Sequence, residues 1–433
     1  MESIKVGLLG LGVVGGGTWN VLQRNAEEIS RRAGRQIEIV HVAVRDVAKA
    51  RAKVGDNVLI TNEPHEVVSN PQVDIVVELI GGTVLARELV LAAIAQGKHV
   101  VTANKALLAT HGTEIFEAAC AKSVMVAFEA AVAGGIPIIK AIREGLTANR
   151  IEWVAGIING TTNYILTEMR NRSLSFEQAL SQAQQLGYAE SDPSADVQGH
   201  DAAQKLSLLA SMAFGIPVQL SRAYVEGITH VSDQDILIAD RLGYRIKLLG
   251  ITRRRAEGIE LRVHPTLVPA QSILASVEDA MNAVLVNGDA VGQTLYYGKG
   301  AGEEPTASAV VADLVDVTRL YTAEHGHRVP HLAFQPESMV DIPILPIEDV
   351  RSGYYLRMTV NDEPGVLSEI ARVLADSNIS IGSMIQEPAA DGVATLIFMT
   401  HMAQERNVND AMATIETMPF MRSAVTRLRV ESF

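Results

Sequence analysis

Residues 4–15 admit few folds. A short, almost wholly apolar run, IKVGLLG, ends in Gly10 and is followed by Gly12 and Gly15 in G-x-G-x-x-G spacing, with Val13 and Val14 between them. The chain then turns helical through TWNVLQRNAEEI. A glycine pattern of this kind carries weight only where it leaves a strand and opens a helix, as it does here. Gly10 allows the tight turn, Gly12 the close approach of backbone to a pyrophosphate, and Gly15 close packing of helix on strand. The phosphates would sit on the helix N-terminus, whose unpaired N–H groups and dipole favour anions. Gly10, Gly12, Val13, Val14 and Gly15 are therefore the predicted cofactor contacts.

The next hundred residues keep the same rhythm. Further strands read QIEIVHVAV (36–44), DIVVELI (74–80), HVVTA (99–103) and VMVAF (124–128), with helix-like segments ARELVLAAIAQ and GTEIFEAACA between the later ones. Strands alternating with helices predict a doubly wound parallel sheet, a Rossmann-type α/β domain over residues 1–135. From 136 to 305 the pattern changes to longer strands (IEWVAGIIN, LRVHPTLVP) separated by helical material at 176–215 and 219–248, an α+β domain with a mixed sheet. A long helix around 306–330 is expected to pack back on the first domain. The proline-spaced stretch 336–353 reads as a linker. Residues 354–433 then show βαββαβ order, a ferredoxin-like module.

With 433 residues the chain is long enough for about three cores. Only 4% of residues are aromatic, so those cores must be aliphatic, the habit of parallel sheets covered by helices. A net charge of −13 argues against nucleic-acid and anionic-membrane partners. Cys120 is the only cysteine, so no intrachain disulfide forms, and its apolar helix-like setting suits a packed core thiol. No apolar run approaches the ~20 residues of a membrane span, and the expected location is cytoplasmic.

Two features bear on chemistry. The second strand ends at Arg45, where an NAD-selective protein usually places an acid; an arginine suits the 2′-phosphate of NADP, while the adjacent Asp46 keeps NAD open. The second feature is charge in an apolar setting. Lys105 lies in VTANKALLA, just past a strand, where ligands of such sheets bind. Glu190, Asp192, Asp196, Asp201 and Lys205 crowd into the start of LSLLASMAF, with Asp201 and Lys205 four apart on one helix face. A solvated helix start with a surface ion pair is the bland explanation. The alternative is a dehydrogenase site, in which converging lysines exchange a proton with an alcohol oxygen and the acids hold the ammonium group of a small, amino-acid-like substrate.

The run AQQLGYAESDPSADVQGHDAAQK, Ala183 to Lys205, resembles the signature of homoserine dehydrogenases, as do VTANKALLA, FEAAVAGGIPII, GIINGTTNYIL and GKGAGEEPTASAVVAD. The resemblance covers residues 1 to about 335. It implies reversible NAD(P)H-dependent reduction of L-aspartate 4-semialdehyde to L-homoserine, in the route to threonine and methionine. It further implies Lys205 as proton donor and acceptor, Lys105 beside nicotinamide and substrate, and Gly187, Glu190, Asp196 and Asp201 as substrate contacts. By the same likeness Gly302 approaches the cofactor, and a monovalent cation such as sodium is held by Glu129 with the carbonyl oxygens of Val132, Gly134 and Ile136. The tail, with NDEPGVLSEIARVLADSNISI, is similar to ACT domains, which implies regulation by an amino acid; L-threonine, the pathway end product, is the expected effector. A homodimer through the middle domain, doubled to a homotetramer by ACT pairing, is the expected assembly. Dehydrogenation of another small amino acid or semialdehyde, or a non-catalytic amino-acid sensor, remains open from sequence.

Overall fold

A computed structural model describes residues 2–324, 327–388 and 392–433. The first sheet contains β1 (Ile4–Leu9), β2 (Ile37–Ala43), β3 (Leu59–Thr61), β4 (Ile75–Glu78), β5 (His99–Thr102) and β6 (Val126–Ala127). All are parallel, in the order β3-β2-β1-β4-β5-β6. That is the doubly wound order, with its topological switch between β1 and β4. The α/β fold class expected from the alternation is the one observed. The strand β3 was not foreseen: three residues at the sheet edge carry too little pattern to stand out.

Both faces of this sheet are covered. On one, Val6, Leu8, Val42 and Val77 pack beneath the helix Val13–Arg24 and the long helix Glu303–Arg319, which contributes Val310 and Leu314. That return is close, because a Cβ on Gly17 would lie 2.8 Å from the carbonyl oxygen of Glu303. On the other face the core runs without a break from Leu89, Leu107 and Phe116 into Ile165, Leu206 and Leu261 of the second domain. Each such fully buried aliphatic side chain contributes roughly 1.5–3 kcal/mol. Cys120, on the helix Lys105–Ala121, is half-buried beside His331, and burial pushes its thiol up.

The second domain is built on β7 (Ile151–Ile157), β8 (Tyr224–Val225), β9 (Tyr244–Arg254), β10 (Ile259–Pro269), β11 (Met281–Gly288) and β12 (Gly292–Lys299). The expectation of helix over 219–248 fails here: the α-helix is confined to Asp233–Arg241, and the apolar run from Tyr244 opens β9. A short continuous apolar run reads equally well as buried helix or buried strand.

The C-terminal module is βαββαβ, with β13 (Arg351–Asn361), β14 (Ile381–Pro388), β15 (Val393–Thr400), the two-residue β16 (Ala403–Gln404) and β17 (Thr426–Val430) around the helices Val366–Asp376 and Glu405–Glu416. It is not separate from the second domain. The strand β17 pairs with β13 on one side and, in parallel, with β10 on the other. Among the described residues the two modules thus share one eleven-stranded sheet, along β12-β11-β7-β9-β10-β17-β13-β15-β14, with β8 and β16 attached beside it.

Candidate active site

The glycine loop leaves the carboxyl end of β1, at the switch point. Gly10 has φ +95°, a left-handed value that a side chain resists, and a Cβ there would lie 2.9 Å from Leu79 O. At Gly15 a Cβ would lie 2.1 Å from Gly10 O, so helix and turn touch backbone to backbone. Gly12 is different: no heavy atom lies within 4 Å of its Cβ position. It stands as N-cap of Val13–Arg24 with no side-chain cap, and the first turn carries no acid. Open space, unpaired N–H groups and an uncompensated dipole form a cradle for an anion, which fits a dinucleotide's pyrophosphate. Val13 is exposed and Val14 half-buried along this rim.

Arg45 is exposed just beyond β2, whereas Asp46 is engaged as N-cap of Val47–Val54, accepting from Lys49 N at 2.9 Å. The acid beside Arg45 is thus occupied with its own helix. Lys53, not singled out from sequence, places its Nζ 2.4 Å from a Cβ built on Gly16, so two cations flank the loop. Glu78, at the end of β4, is fully buried; its Oε1 accepts from Ile80 N and Gly81 N at 3.0 and 3.1 Å and shapes the opposite wall.

Lys105 opens the helix Lys105–Ala121, positioned by its N-cap Asn104, whose Nδ2 donates to Gly82 O at 2.7 Å. From the second domain, the helix His200–Phe214 brings Asp201 and Lys205. It buries almost its whole circumference, and Asp201 is only 9% exposed. The two lysines meet across the domain boundary on that carboxylate: Lys105 Nζ lies 3.2 Å from Oδ1, and Lys205 Nζ lies 2.6 Å from Oδ2. The acid stands between the ammonium groups, so they do not confront each other unscreened. Burial alone would push Asp201 up, but the two lysines outweigh it and hold its pKa at about 2. Lys205 Nζ also donates to Ile158 O at 2.8 Å. An ammonium has three donors, so one remains for a substrate oxygen.

Asn159 ties the acids together and was missed from sequence. Its Nδ2 donates to Asp196 Oδ1 at 2.7 Å and to Asp201 Oδ2 at 2.9 Å, while its Oδ1 caps the helix Gly160–Arg172 at Thr162 N. An Asn before Gly-Thr-Thr is an N-cap signal; that its amide faces two carboxylates depends on the fold. Asp196 is held up by burial, against the Asn159 hydrogen bond.

Gly187 (φ +75°) and Glu190 lie on the exposed loop after the helix Phe176–Gln185. The loop is fastened by Thr161 Oγ1, which donates to Tyr188 O at 2.6 Å, and by Gln184 Nε2, which donates to Glu190 O at 3.1 Å. The Glu190 carboxylate has no hydrogen-bond partner among the described residues. Asp192 is spoken for, accepting from Ser194 N at 3.1 Å in the turn into Ser194–Val197.

Glu129 is buried beneath the nucleotide domain. Its two oxygens accept from Ile139 N at 2.9 Å and Lys140 N at 2.8 Å, and burial lifts its pKa to about 7. Asp313, also buried, accepts from Glu129 N at 2.8 Å and is held well above the carboxylate range by burial and by Glu129. The segment Val132–Ile136 turns beside them through Ala133 (φ +56°) and Gly134 (φ +51°). A Cβ on Gly134 would lie 2.4 Å from Gly300 O, so this turn packs on the loop leading to Gly302, the N-cap of Glu303–Arg319 at φ +123°. A buried carboxylate whose charged form lacks enough compensating positive charge fits a hard monovalent cation, which would supply it. Among the described residues no group of three or more His, Cys, Asp or Glu could hold a metal ion, and no helix is long and apolar enough to cross a membrane.

In the C-terminal module, Asn361 to Gly365 enters the helix Val366–Asp376 at Gly365 (φ +99°), which has no side-chain cap.

Comparison with known proteins bears on this arrangement. Family models match residues 10–129 (homoserine dehydrogenase, NAD binding domain), 137–315 (homoserine dehydrogenase) and 354–420 (ACT domain). The chain is 58% identical over 433 residues to the homoserine dehydrogenase of Pseudomonas aeruginosa, covering 100% of this chain and 99% of that one. A crystal structure of a homoserine dehydrogenase from Thiobacillus denitrificans is similar with a TM-score of 0.96 and 62% identity, covering 100% and 99% of the two chains. A hyperthermophilic archaeal homoserine dehydrogenase in complex with NADPH matches with a TM-score of 0.63 and 25% identity, over 73% of this chain and 98% of that one.

Proposed function

The chain belongs to the homoserine dehydrogenase family, an NAD(P)-dependent oxidoreductase of amino-acid biosynthesis, and on that footing we propose how its residues divide the work on L-homoserine and L-aspartate 4-semialdehyde. The observation that carries the reading is the Asp201 carboxylate bridging Lys105 of the nucleotide domain and Lys205 of the second domain. The nicotinamide, when bound, supplies the hydride acceptor or donor. Lys205 Nζ, as the neutral amine, takes the hydroxyl proton on its lone pair during oxidation and, as the ammonium, returns it during reduction, at the one position that Asp201 and Ile158 leave uncommitted. Lys105 faces the nicotinamide and the substrate oxygen. Asp201 keeps both ammonium groups in place, and Asn159 keeps Asp201 and Asp196 in place. Glu190, unpaired on the rim, binds the substrate ammonium, with Asp196 and the Gly187 backbone completing its seat.

Gly10, Gly12, Val13, Val14, Gly15 and Gly302 line the dinucleotide, and Arg45 with Lys53 selects the 2′-phosphate, which makes NADP the preferred coenzyme. The commitment of Asp46 to its own helix supports this. Glu129 with the carbonyls of Val132, Gly134 and Ile136 holds a monovalent cation, sodium by size and hardness. The uncapped helix start at Gly365 receives the carboxylate of L-threonine, whose binding lowers activity. The open edges of the long sheet, β12 with exposed Tyr297 and β14 with exposed Met384, support a homodimer or homotetramer.

The test mixes purified protein with L-homoserine and NADP⁺ or NAD⁺ at alkaline pH. NADPH that appears only with homoserine, at a lower KM for NADP⁺ than for NAD⁺, is expected. Absence of turnover in folded protein that still binds nucleotide would overturn the assignment. Threonine at millimolar level is expected to slow the reaction and raise Tm; a protein indifferent in both has an ACT module without this ligand.

A further inference from the structure

We propose that Arg429, in the C-terminal module, is a positioning residue for the substrate site, acting through Glu226. The inference rests on the reading of Asp196, Asp201 and Lys205 as that site.

Arg429 sits on β17, where its register partner on β10 is Thr266, and its side chain is 1% exposed. Such a charge persists in a core only when its donors are matched. Arg429 Nε and Nη2 donate to the two oxygens of Glu405 at 2.9 and 2.6 Å, a bidentate pair inside the C-terminal module. Its remaining arm crosses the module boundary: Nη1 donates to Glu226 Oε2 at 2.7 Å, and Nη2 to Tyr224 Oη at 3.1 Å. The guanidinium also stands 4.8 Å from the centre of the Tyr224 ring. Glu226 is gripped from all sides, by Tyr224 Oη at 2.7 Å, His230 Nε2 at 3.1 Å and, more distantly, Arg427 at 3.8 Å.

Glu226 does not touch the substrate site, but the two residues after it do touch the segment that carries it. Gly227 has no room for a side chain, since a Cβ would lie 2.2 Å from Val197 O. Ile228 N donates to that same oxygen at 2.8 Å. Val197 ends the short helix bearing Asp196, and Gly199 (φ +85°), against Val225 and Val263, begins the turn into the helix bearing Asp201 and Lys205. The hinge between the two halves of the site therefore leans on 225–228, and 225–228 is clamped by an arginine of the other module. A purely apolar contact would join the modules without fixing this register. A buried, charge-assisted hydrogen bond from Arg429 to Glu226, with the Tyr224 hydroxyl shared between them, fixes it to within the tenths of an ångström that hydrogen-bond geometry tolerates. It also means that a displacement of the Arg429 guanidinium is felt at Asp196, whereas a change elsewhere along β17 that leaves Arg429 on Glu226 is not.

Glu226→Gln keeps size and removes the charge. The KM for homoserine is expected to rise roughly tenfold, the scale on which misplaced binding groups act, with KM for NADP⁺ within about twofold of the parent. A merely structural role would lower kcat through the folded fraction and leave the homoserine KM alone. Arg357→Lys serves as control: Arg357 joins the same modules through Asp235, at 2.6 Å, away from the hinge. It should lower Tm without moving the homoserine KM. Tyr224→Phe removes only the hydroxyl that shares Glu226 with Arg429 and should raise that KM about threefold, which keeps the test open should Glu226→Gln not fold. An unchanged homoserine KM in a folded Glu226→Gln protein, or in Tyr224→Phe where the former is insoluble, overturns the clasp. An equal rise in the control overturns it too. A parent enzyme that does not oxidise homoserine overturns the functional assignment instead.

Discussion

At the scale of single residues, Lys205 and Asp201 show how a fold turns a common pair into a site. Asp four residues before Lys on a helix is ordinary surface chemistry, worth a few tenths of a kcal/mol. Here the pair is buried, shares Asp201 with Lys105 and accepts Asn159 as well. Replacing Lys205→Ala is expected to lower kcat by about 10²–10⁴ while nucleotide binding, followed by quenching of bound NADPH fluorescence, persists. Glu129 gives a second prediction. Its folded pKa of about 7 lies above the ordinary 4.5, so the folded state binds the proton more tightly than the unfolded chain does. Stability from this group is complete below pH 4.5 and is lost as pH rises to about 7, by roughly 3 kcal/mol. A cation at the proposed site would take the proton's place. Added sodium should therefore raise Tm at pH 8 and have little effect at pH 4.5, and Glu129→Gln should abolish the difference.

The glycine loop is the element whose parts are most sharply separable. Gly15→Ala drives a Cβ into the carbonyl of Gly10 at 2.1 Å and should cost about 1–3 kcal/mol of stability, read as a lowered Tm, along with nucleotide affinity. Gly12→Ala meets no protein atom within 4 Å, at a φ of −72° that alanine accepts. It should leave Tm unchanged and raise the KM for NADP⁺ at least about tenfold, because the space it fills belongs to the ligand. A Gly12→Ala protein with normal KM would mean that the pyrophosphate lies elsewhere. At this scale the nucleotide loop was legible in advance, since a strand, three glycines and a helix are all local. The edge strand β3 and the start of β9 were not, because three residues or one apolar run do not distinguish pairing partners.

Over the whole molecule, β17 is decisive. It closes the C-terminal module and also supplies β10 with its neighbour, so Glu431 can bind Arg262 at 2.6 Å and Arg253 at 3.3 Å across the seam. A chain ending at Asp349 would bare the β10 edge and strand Arg262, 1% exposed, with one carboxylate partner fewer. Breaking a buried charge network of this kind costs about 3–5 kcal/mol, so the truncated chain is expected to give little soluble protein and no cooperative melt. Local pattern along the chain, over one or two turns or strands, already specifies the parallel sheet, the dinucleotide loop, the βαββαβ order, and the paired charges at Asp201 and Lys205. Long-range packing alone settles that Lys105 reaches Asp201 from another domain, that Asn159 holds both acids, and that the last strand of the C-terminal module joins the sheet of the second domain. Those contacts join residues from 37 to more than 150 positions apart, and periodicity, being local, carries no record of which distant partner a side chain will meet.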